Sequence, residues 1–336
     1  MISRIFLILL FPMLSFSQTI TGTVLDASSN KPLETVAVYF DNTTIGTTTD
    51  AEGRFSITYT DAIQSNLVFS YLGFEKVLIT DYRVKKDVII KMKPSAVGLD
   101  EVFIDFDDGL TRKQKLSLFK REFLGKSKYG RSCKILNEND IILRYDKRSQ
   151  ILTASSDRPI LIKNRALKYE LSFDLIDFEA TFRYVNIDDK EFVIERVAYA
   201  GTSFYKDIEN SNKKKAKRAR EKVYKGSVQH FMRALYNENL KDEGYQIYYK
   251  SFRVNEWDFF KIKVAENPAF KEVSLSKKVS ILHNKRDQSA IEIYVNSILL
   301  DVYGNYSAIK GVYFSGAMGS QRIGDTLPLD YNLDEN

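Results

Sequence analysis

The sequence predicts a mainly β protein: an amino-terminal seven-stranded β-sandwich of immunoglobulin-like size, followed by an α+β domain. Three observations lead to this. Short runs of alternating apolar and polar residues recur mostly eight to twelve residues apart, separated by turn-forming clusters. Aromatic residues of β-forming character are frequent, with 22 Phe and 20 Tyr against one Trp. Two later stretches, opening at Thr111 and Ser227, change to helical spacing. At 336 residues, 44% hydrophobic and 28% charged, the chain is long enough for two globular domains and does not have the composition of a disordered one.

The first residues form a targeting segment. Arg4 supplies a positive start, Ile5 to Leu14 an apolar run, and Ser15-Phe16-Ser17 a small-x-small site, so residues 1–17 are expected to be a signal peptide cleaved before Gln18. The run is too short to span a bilayer of about 30 Å as a helix. The best later stretch, Ile291 to Tyr303, is interrupted by Glu292, Asn296 and Asp301, so no transmembrane helix is expected after cleavage. No Cys follows the predicted cut, which argues against a lipid anchor, and Cys133, the only cysteine, excludes an intramolecular disulfide. The net charge of +6 is unevenly shared: −3 over residues 18–103 and +8 over 104–336.

The expected strands of the sandwich, residues 18–103, are Ile20–Leu25, Val36–Phe40, Ile45–Thr48, Arg54–Tyr59, Leu67–Tyr71, Glu75–Ile79 and Val88–Met92. Val36, Val38 and Phe40 share one face, as do Phe55, Ile57 and Tyr59, and both sets are expected to fill the space between the sheets. At the Asp50-Ala51-Glu52-Gly53 corner, Asp50 can accept backbone N–H groups and Gly53 can take positive φ. A calcium site there would have two carboxylates towards six to eight oxygens, so hairpin chemistry is the better reading.

Four segments of this region, Thr21 to Asp26, Pro32 to Val38, Gly46 to Phe55 and Leu67 to Phe74, together resemble a carboxypeptidase-like regulatory domain. Leu99-Asp100-Glu101-Val102 resembles the segment that follows this domain in TonB-dependent outer-membrane receptors. The resemblance covers about eighty residues. It implies a transthyretin-like sandwich, and it implies no activity, because such domains are accessory.

In the second region, residues 104–336, Thr111 and Gln114 have the spacing of a capping box. Leu116, Phe119 and Phe123 then make an apolar stripe that Gly125 ends. Strands are expected at Ile141–Tyr145, Ile151–Ala154, Pro159–Ile162, Lys168–Phe173, Phe178–Val185 and Phe192–Tyr199. A basic run follows, in which Lys213, Lys214, Lys215, Lys217, Arg218, Arg220 and Lys222 stand against Glu221 alone. It leads to a helix capped by Ser227 whose apolar face is Val228, Phe231, Met232, Leu235 and Tyr236. Further strands are expected at Tyr245–Tyr249, Lys261–Val264, Lys278–Leu282, Ile291–Leu300 and Val312–Phe314, before a loose polar end. Segments that include Arg121 to Gly125, Cys133 to Asn137, Tyr224 to Leu235 and Leu327 to Tyr331 resemble the carboxy-terminal region of exported regulatory-domain proteins of Gram-negative bacteria. That pattern has no assigned reaction, so no catalytic residue follows from it.

Constellations for covalent chemistry are missing from the sequence. A metallocarboxypeptidase needs two His and a carboxylate on zinc, whereas His230 and His283 stand far apart without a Glu at ligand spacing. Gly-x-Ser-x-Gly, phosphate loops and dinucleotide fingerprints are absent. Cys133 with His230 is the one conceivable nucleophile and base. The expectation is therefore a non-enzymatic exported binding protein, without a cofactor, metal or catalytic residue, periplasmic or associated with the outer membrane and its nutrient uptake. Its partners would be an envelope protein, an outer-membrane complex or a glycan, and not nucleic acid. Candidate contact residues are Lys213, Lys214, Lys215, Lys217, Arg218, Arg220, His230 and Arg233. The alternative is a peptidase-like hydrolase of unrecognised type using the carboxy-terminal domain. A small outer-membrane β-barrel is disfavoured by the helices that interrupt the strand series and by the polar Asn336 end.

Overall fold

A computed structural model describes residues 17–60, 63–84, 87–95, 109–209 and 213–332. The expected leader, apart from Ser17, lies outside the described residues, as do Leu99 to Val102 and the expected boundary at 103/104.

The chain is mainly β and begins with the expected sandwich. β1 (Ser17–Asp26) pairs antiparallel with β4 (Arg54–Thr60) and parallel with β7 (Asp87–Met92) in one sheet. The second sheet runs in the order β3 (Gly46–Thr48), β2 (Ala37–Phe40), β5 (Leu67–Ser70), β6 (Val77–Ile79). The two residue sets expected inside are there: Val36, Val38, Phe40, Phe55, Ile57 and Tyr59 are all buried. At the β3–β4 corner Gly53 has φ 72°, and Asp50 accepts the backbone N–H groups of Glu52 at 3.1 Å and Arg54 at 2.8 Å. Both carboxylates pair with the Arg54 guanidinium, so the corner is hairpin chemistry.

Helix α1 (Arg112–Leu124) is capped at Thr111 by the capping box with Gln114, and Gly125 closes it at φ 100°. It lies on a sheet built from β8 (Cys133–Ile135), β9 (Ile142–Asp146), β10 (Ile151–Ser155), β11 (Ile160–Asn164) and a long hairpin of β12 (Tyr169–Asn186) and β13 (Glu191–Asp207). The two strands expected at 168–173 and 178–185 are one. A bulge between Leu175 and Asp177 leaves Ile176 unpaired and 69% exposed. Tyr169, Leu171 and Phe173 point inward before it, and Phe178, Ala180 and Phe182 after it. One extra residue switches the inward set from odd to even positions, and in sequence that phase break looks like a strand end. Phe119 and Phe123 stack at 4.9 Å and meet Phe178 and Phe173 edge-on.

Two helices follow, α2 (Lys213–Tyr224) and α3 (Val228–Tyr236), the latter capped by Ser227 as expected. α3 contributes Phe231, Met232 and Leu235 to a third core. That core is shared by two sheets. One contains β14 (Tyr245–Tyr249), β15 (Phe252–Val254), β18 (Val279–His283), β19 (Asp287–Ile293) and β21 (Val312–Ser315). The other contains β16 (Phe260–Val264), β17 (Phe270–Leu275) and β20 (Ile298–Asp301). The single strand expected over Ile291–Leu300 is therefore two strands in different sheets. A short helix, α4 (Gly316–Gly319), follows β21.

The expected loose end needs correction. Leu327 and Leu329 are 5% and 8% exposed, Leu327 in the α1 core and Leu329 in the sandwich core. Arg233 holds this tail: its guanidinium donates to the carbonyls of Leu329 at 2.6 Å, Tyr331 at 2.8 Å and Tyr303 at 3.0 Å. Apolar burial and these charge-assisted bonds outweigh the polar composition of the segment.

The sandwich is joined to the rest through its β2–β3 turn. Asn42 donates its N–H to the Ser203 carbonyl at 2.7 Å, Tyr205 to that of Thr43 at 3.0 Å, and Leu329 to that of Asn42 at 2.6 Å. Beside this seam Tyr39 donates to Asp174 at 3.0 Å and Lys76 pairs with the other carboxylate oxygen at 2.7 Å.

Candidate functional site

The eight candidate contact residues divide into two groups. Lys213, Lys214, Lys215, Lys217 and Arg218 are exposed on α2. Arg220 turns back: it donates to the carbonyls of Leu167 at 2.8 Å and Lys168 at 3.1 Å, bonds Asp207, and lies 3.5 Å from the Tyr169 ring centroid. It fastens α2 to the β11–β12 turn, so α2 continues the core through Ala216 and Val223. His230 and Arg233, on α3, are 4% and 6% exposed. They face the interior and are not grouped with the lysines.

His230 belongs to a closed network. Its Nδ1 accepts from the Tyr245 hydroxyl at 2.7 Å and the Gly226 N–H at 3.1 Å, which assigns the proton to Nε2, 2.9 Å from Glu243 Oε2. Burial lowers its pKa, against an upward pull from Glu243. The His283 ring lies 5.5 Å away, and its pKa is lowered first by burial and then by His230. Cys133 is elsewhere, its thiol directed at the Tyr129 carbonyl at 3.4 Å and pushed up to about 12 by burial. Both His230 nitrogens being engaged, Cys133 and His230 do not form a pair. Among the described residues no group of three His, Cys, Asp or Glu side chains could hold a metal, and no helix is long and apolar enough to cross a membrane.

Two cavities lie where the units meet. A cavity of about 320 Å³ is bounded by the β2–β3 turn, β13, the α2–α3 junction, the Gly304–Tyr306 turn and the tail. Beside it a larger one of about 580 Å³ runs between the end of α1 and the β21–α4 segment. Val223, Gln321 and Asp325 belong to the walls of both. The pair forms one two-lobed cleft, a usual location for a binding site.

The ionisable groups of the larger lobe are already engaged. The Asp325 carboxylate accepts from the Ser127 hydroxyl at 2.5 Å and from the Arg322 N–H at 3.3 Å, and burial raises its pKa. Ser127 Oγ itself accepts the N–H groups of Tyr129 and Gly130, both at 3.0 Å. Glu122, 2% exposed, pairs with Arg121 at 2.5 Å and Lys126 at 3.3 Å. The smaller lobe is different. It carries the half-buried Tyr199 and Tyr306, whose hydroxyls have no hydrogen-bond partner among the described residues. Nothing local in the sequence marks these residues. The partners that build the walls are far apart in the chain, with 198 positions between Ser127 and Asp325.

No curated protein matches the chain. Two solved structures show a distant likeness. A 9R-lipoxygenase from Cyanothece PCC8801 is 13% identical with a TM-score of 0.19, over 72% of this chain and 50% of that one, so the chain spans half the length of that protein. A protein of unknown function from Bacteroides fragilis NCTC 9343 is 11% identical, also with a TM-score of 0.19, over 89% of this chain and 92% of that one. Residues 20–104 match the family model of the CarboxypepD_reg-like domain, and with the sandwich formed by the strands between Ser17 and Met92, the amino-terminal unit is a carboxypeptidase-like regulatory domain.

Proposed function

We propose that the chain is a non-enzymatic, exported binding protein of the bacterial cell envelope, periplasmic or associated with the outer membrane. It would recognise an envelope protein, an outer-membrane complex or a glycan through the junctional cleft. One observation carries this reading: the cleft has room for a ligand, while Ser127, Cys133 and His230 are each engaged within the protein. Ser127 is fixed by three hydrogen bonds, Cys133 is pushed up to about 12, and both nitrogens of His230 are taken. A general base needs a free lone pair within reach of substrate, and a thiol acts as its thiolate. The accessory character of the regulatory domain fits the same reading.

The test is capture of a partner from a solubilised outer-membrane fraction by the immobilised chain, repeated with Ala317→Trp, which fills the larger lobe. A partner retained by the parent and lost by the variant supports recognition through the cleft. Saturable turnover of any peptide or glycan by the purified chain overturns the reading.

A further inference from the structure

We infer that the smaller lobe of the cleft is a site for one neutral sugar ring, either a free monosaccharide or the end residue of a glycan. The inference rests on the binding reading above and assigns a ligand class to it. Four features of the lobe lead there, beginning with Tyr199 and Tyr306. These two half-buried residues, on β13 and on the turn after β20, line the same cavity, and their hydroxyls have no hydrogen-bond partner among the described residues, so both can bond a ligand.

Charge is the second feature. Among the described residues no Lys, Arg or His lines this lobe, and the one carboxyl that does, Asp325, already accepts from Ser127 and Arg322. Burial holds both tyrosines neutral, each with its pKa pushed up to about 12, so they remain hydroxyl donors and acceptors throughout the physiological range. A cavity furnished in this way offers nothing to neutralise an anion.

The third feature is the wall. Val223, Met318 and Leu327 add apolar surface to a lining that also holds polar groups. Gln321 adds a polar group with spare capacity: its Oε1 accepts the Val228 N–H at 3.1 Å, which leaves its amide donors for a ligand. A pyranose matches this mixture, since its C–H faces are apolar and its rim hydroxyls both donate and accept.

Size is the fourth. About 320 Å³ is at the small end of ligand sites and corresponds to roughly ten waters, room for one ring but not for a packed chain of them.

The experiment is ligand-observed NMR and calorimetry on the full mature chain with glucose, galactose, mannose and N-acetylglucosamine, their methyl glycosides, and glucuronate as the anionic control. At least one neutral sugar should bind in the millimolar range or better, and glucuronate more weakly than glucose. Tolerance of the methyl glycoside indicates a glycan end, and its exclusion a free monosaccharide. Tyr199→Phe and Tyr306→Phe keep the rings and should each weaken binding by about tenfold, with circular dichroism and melting temperature unchanged. Absence of binding by every neutral sugar, preference for glucuronate, or unaltered affinity in both folded variants overturns the assignment. Partner capture without sugar binding would sink only the ligand class. Turnover of the sugar would sink the binding reading itself.

Discussion

The hydroxyl of Tyr39 in the amino-terminal sandwich donates a 3.0 Å hydrogen bond to Asp174 on β12, and Lys76 from another strand connection of the sandwich closes on the same carboxylate at 2.7 Å. Asp174 is 5% exposed, so its charge is supported almost entirely by groups from the other unit. The ion pair, with its carboxylate buried and its lysine partly exposed, ties the accessory domain to the rest in one orientation.

This gives the first prediction. Lys76→Met removes the cation and leaves Asp174 buried with one neutral donor, at an expected cost of about 3 kcal/mol. Asp174→Leu combined with Lys76→Met should recover much of that loss, because both partners are then apolar. Urea unfolding of the two variants measures it. A single variant as stable as the parent would show that the pair contributes nothing to docking.

The second prediction concerns Arg233. It is 6% exposed and donates to three carbonyls of the Tyr303 turn and the tail. Arg233→Met leaves those acceptors without a donor, each worth about 1.5 kcal/mol or more when the donor is charged. Arg233→Lys should rescue little, since a single ammonium cannot reproduce the planar fork. Limited proteolysis should cut both variants first within residues 327–332. Cleavage starting elsewhere, with the tail intact, would contradict the tethering role.

How much of this was legible in sequence depends on how far apart the deciding residues are. All seven sandwich strands appear within a few residues of their expected ends, because alternation and turn chemistry are local. The α1 capping box is equally local. In sequence β12 reads as two strands because the bulge at Ile176 shifts the phase of its inward residues, and β17 gives no strand signal because Phe270–Leu275 has only Val273 fully buried and shows little alternation. The tail looked polar because its burial is decided by Arg233, which bonds the Leu329 carbonyl from 96 positions earlier. The candidate contacts were chosen on charge, and charge alone does not separate the solvated lysines of α2 from the inward Arg220 and Arg233. The cleft has no sequence signal, since its walls come from segments far apart in the chain, from Asn42 to Leu329.

A third prediction follows from Leu329, which is 8% exposed within the core cluster of the sandwich although it lies at the far end of the chain. Leu329→Ala should cost about 2–5 kcal/mol, the usual range for a buried leucine. Thermal denaturation should show the loss in the transition of the sandwich as well as in that of the carboxy-terminal units. A loss restricted to the carboxy-terminal units would mean that the tail does not brace the sandwich.

The histidine pair predicts how stability depends on pH. His230 and His283 are 4% and 3% exposed, and burial lowers both pKa values from the ordinary 6.5. Glu243 partly supports a charge on His230, while Lys225 and Arg233 oppose it; Asp287 and Arg286 do the same to His283 with opposite signs. As pH falls through about 6.5 the unfolded chain takes up protons that the native state refuses, so stability decreases on acidification. Asp41 and Asp301 act in the other direction. Burial raises each to about 6 from 3.8, so the native state keeps protons that the unfolded chain has lost, and that contribution fades as pH rises from about 4 to about 6. The aspartates are half protonated in the native state at about pH 6 and so offset part of the histidine effect above it; the urea midpoint should still fall between pH 7.5 and 6, where an unfolded histidine titrates, but less than the histidines alone would require. Below about pH 6 the aspartates should flatten the decline further. His283→Gln should reduce the slope in the upper window without altering the lower one, and a parent midpoint that stays constant from pH 7.5 to 6 would exclude the pair as its source.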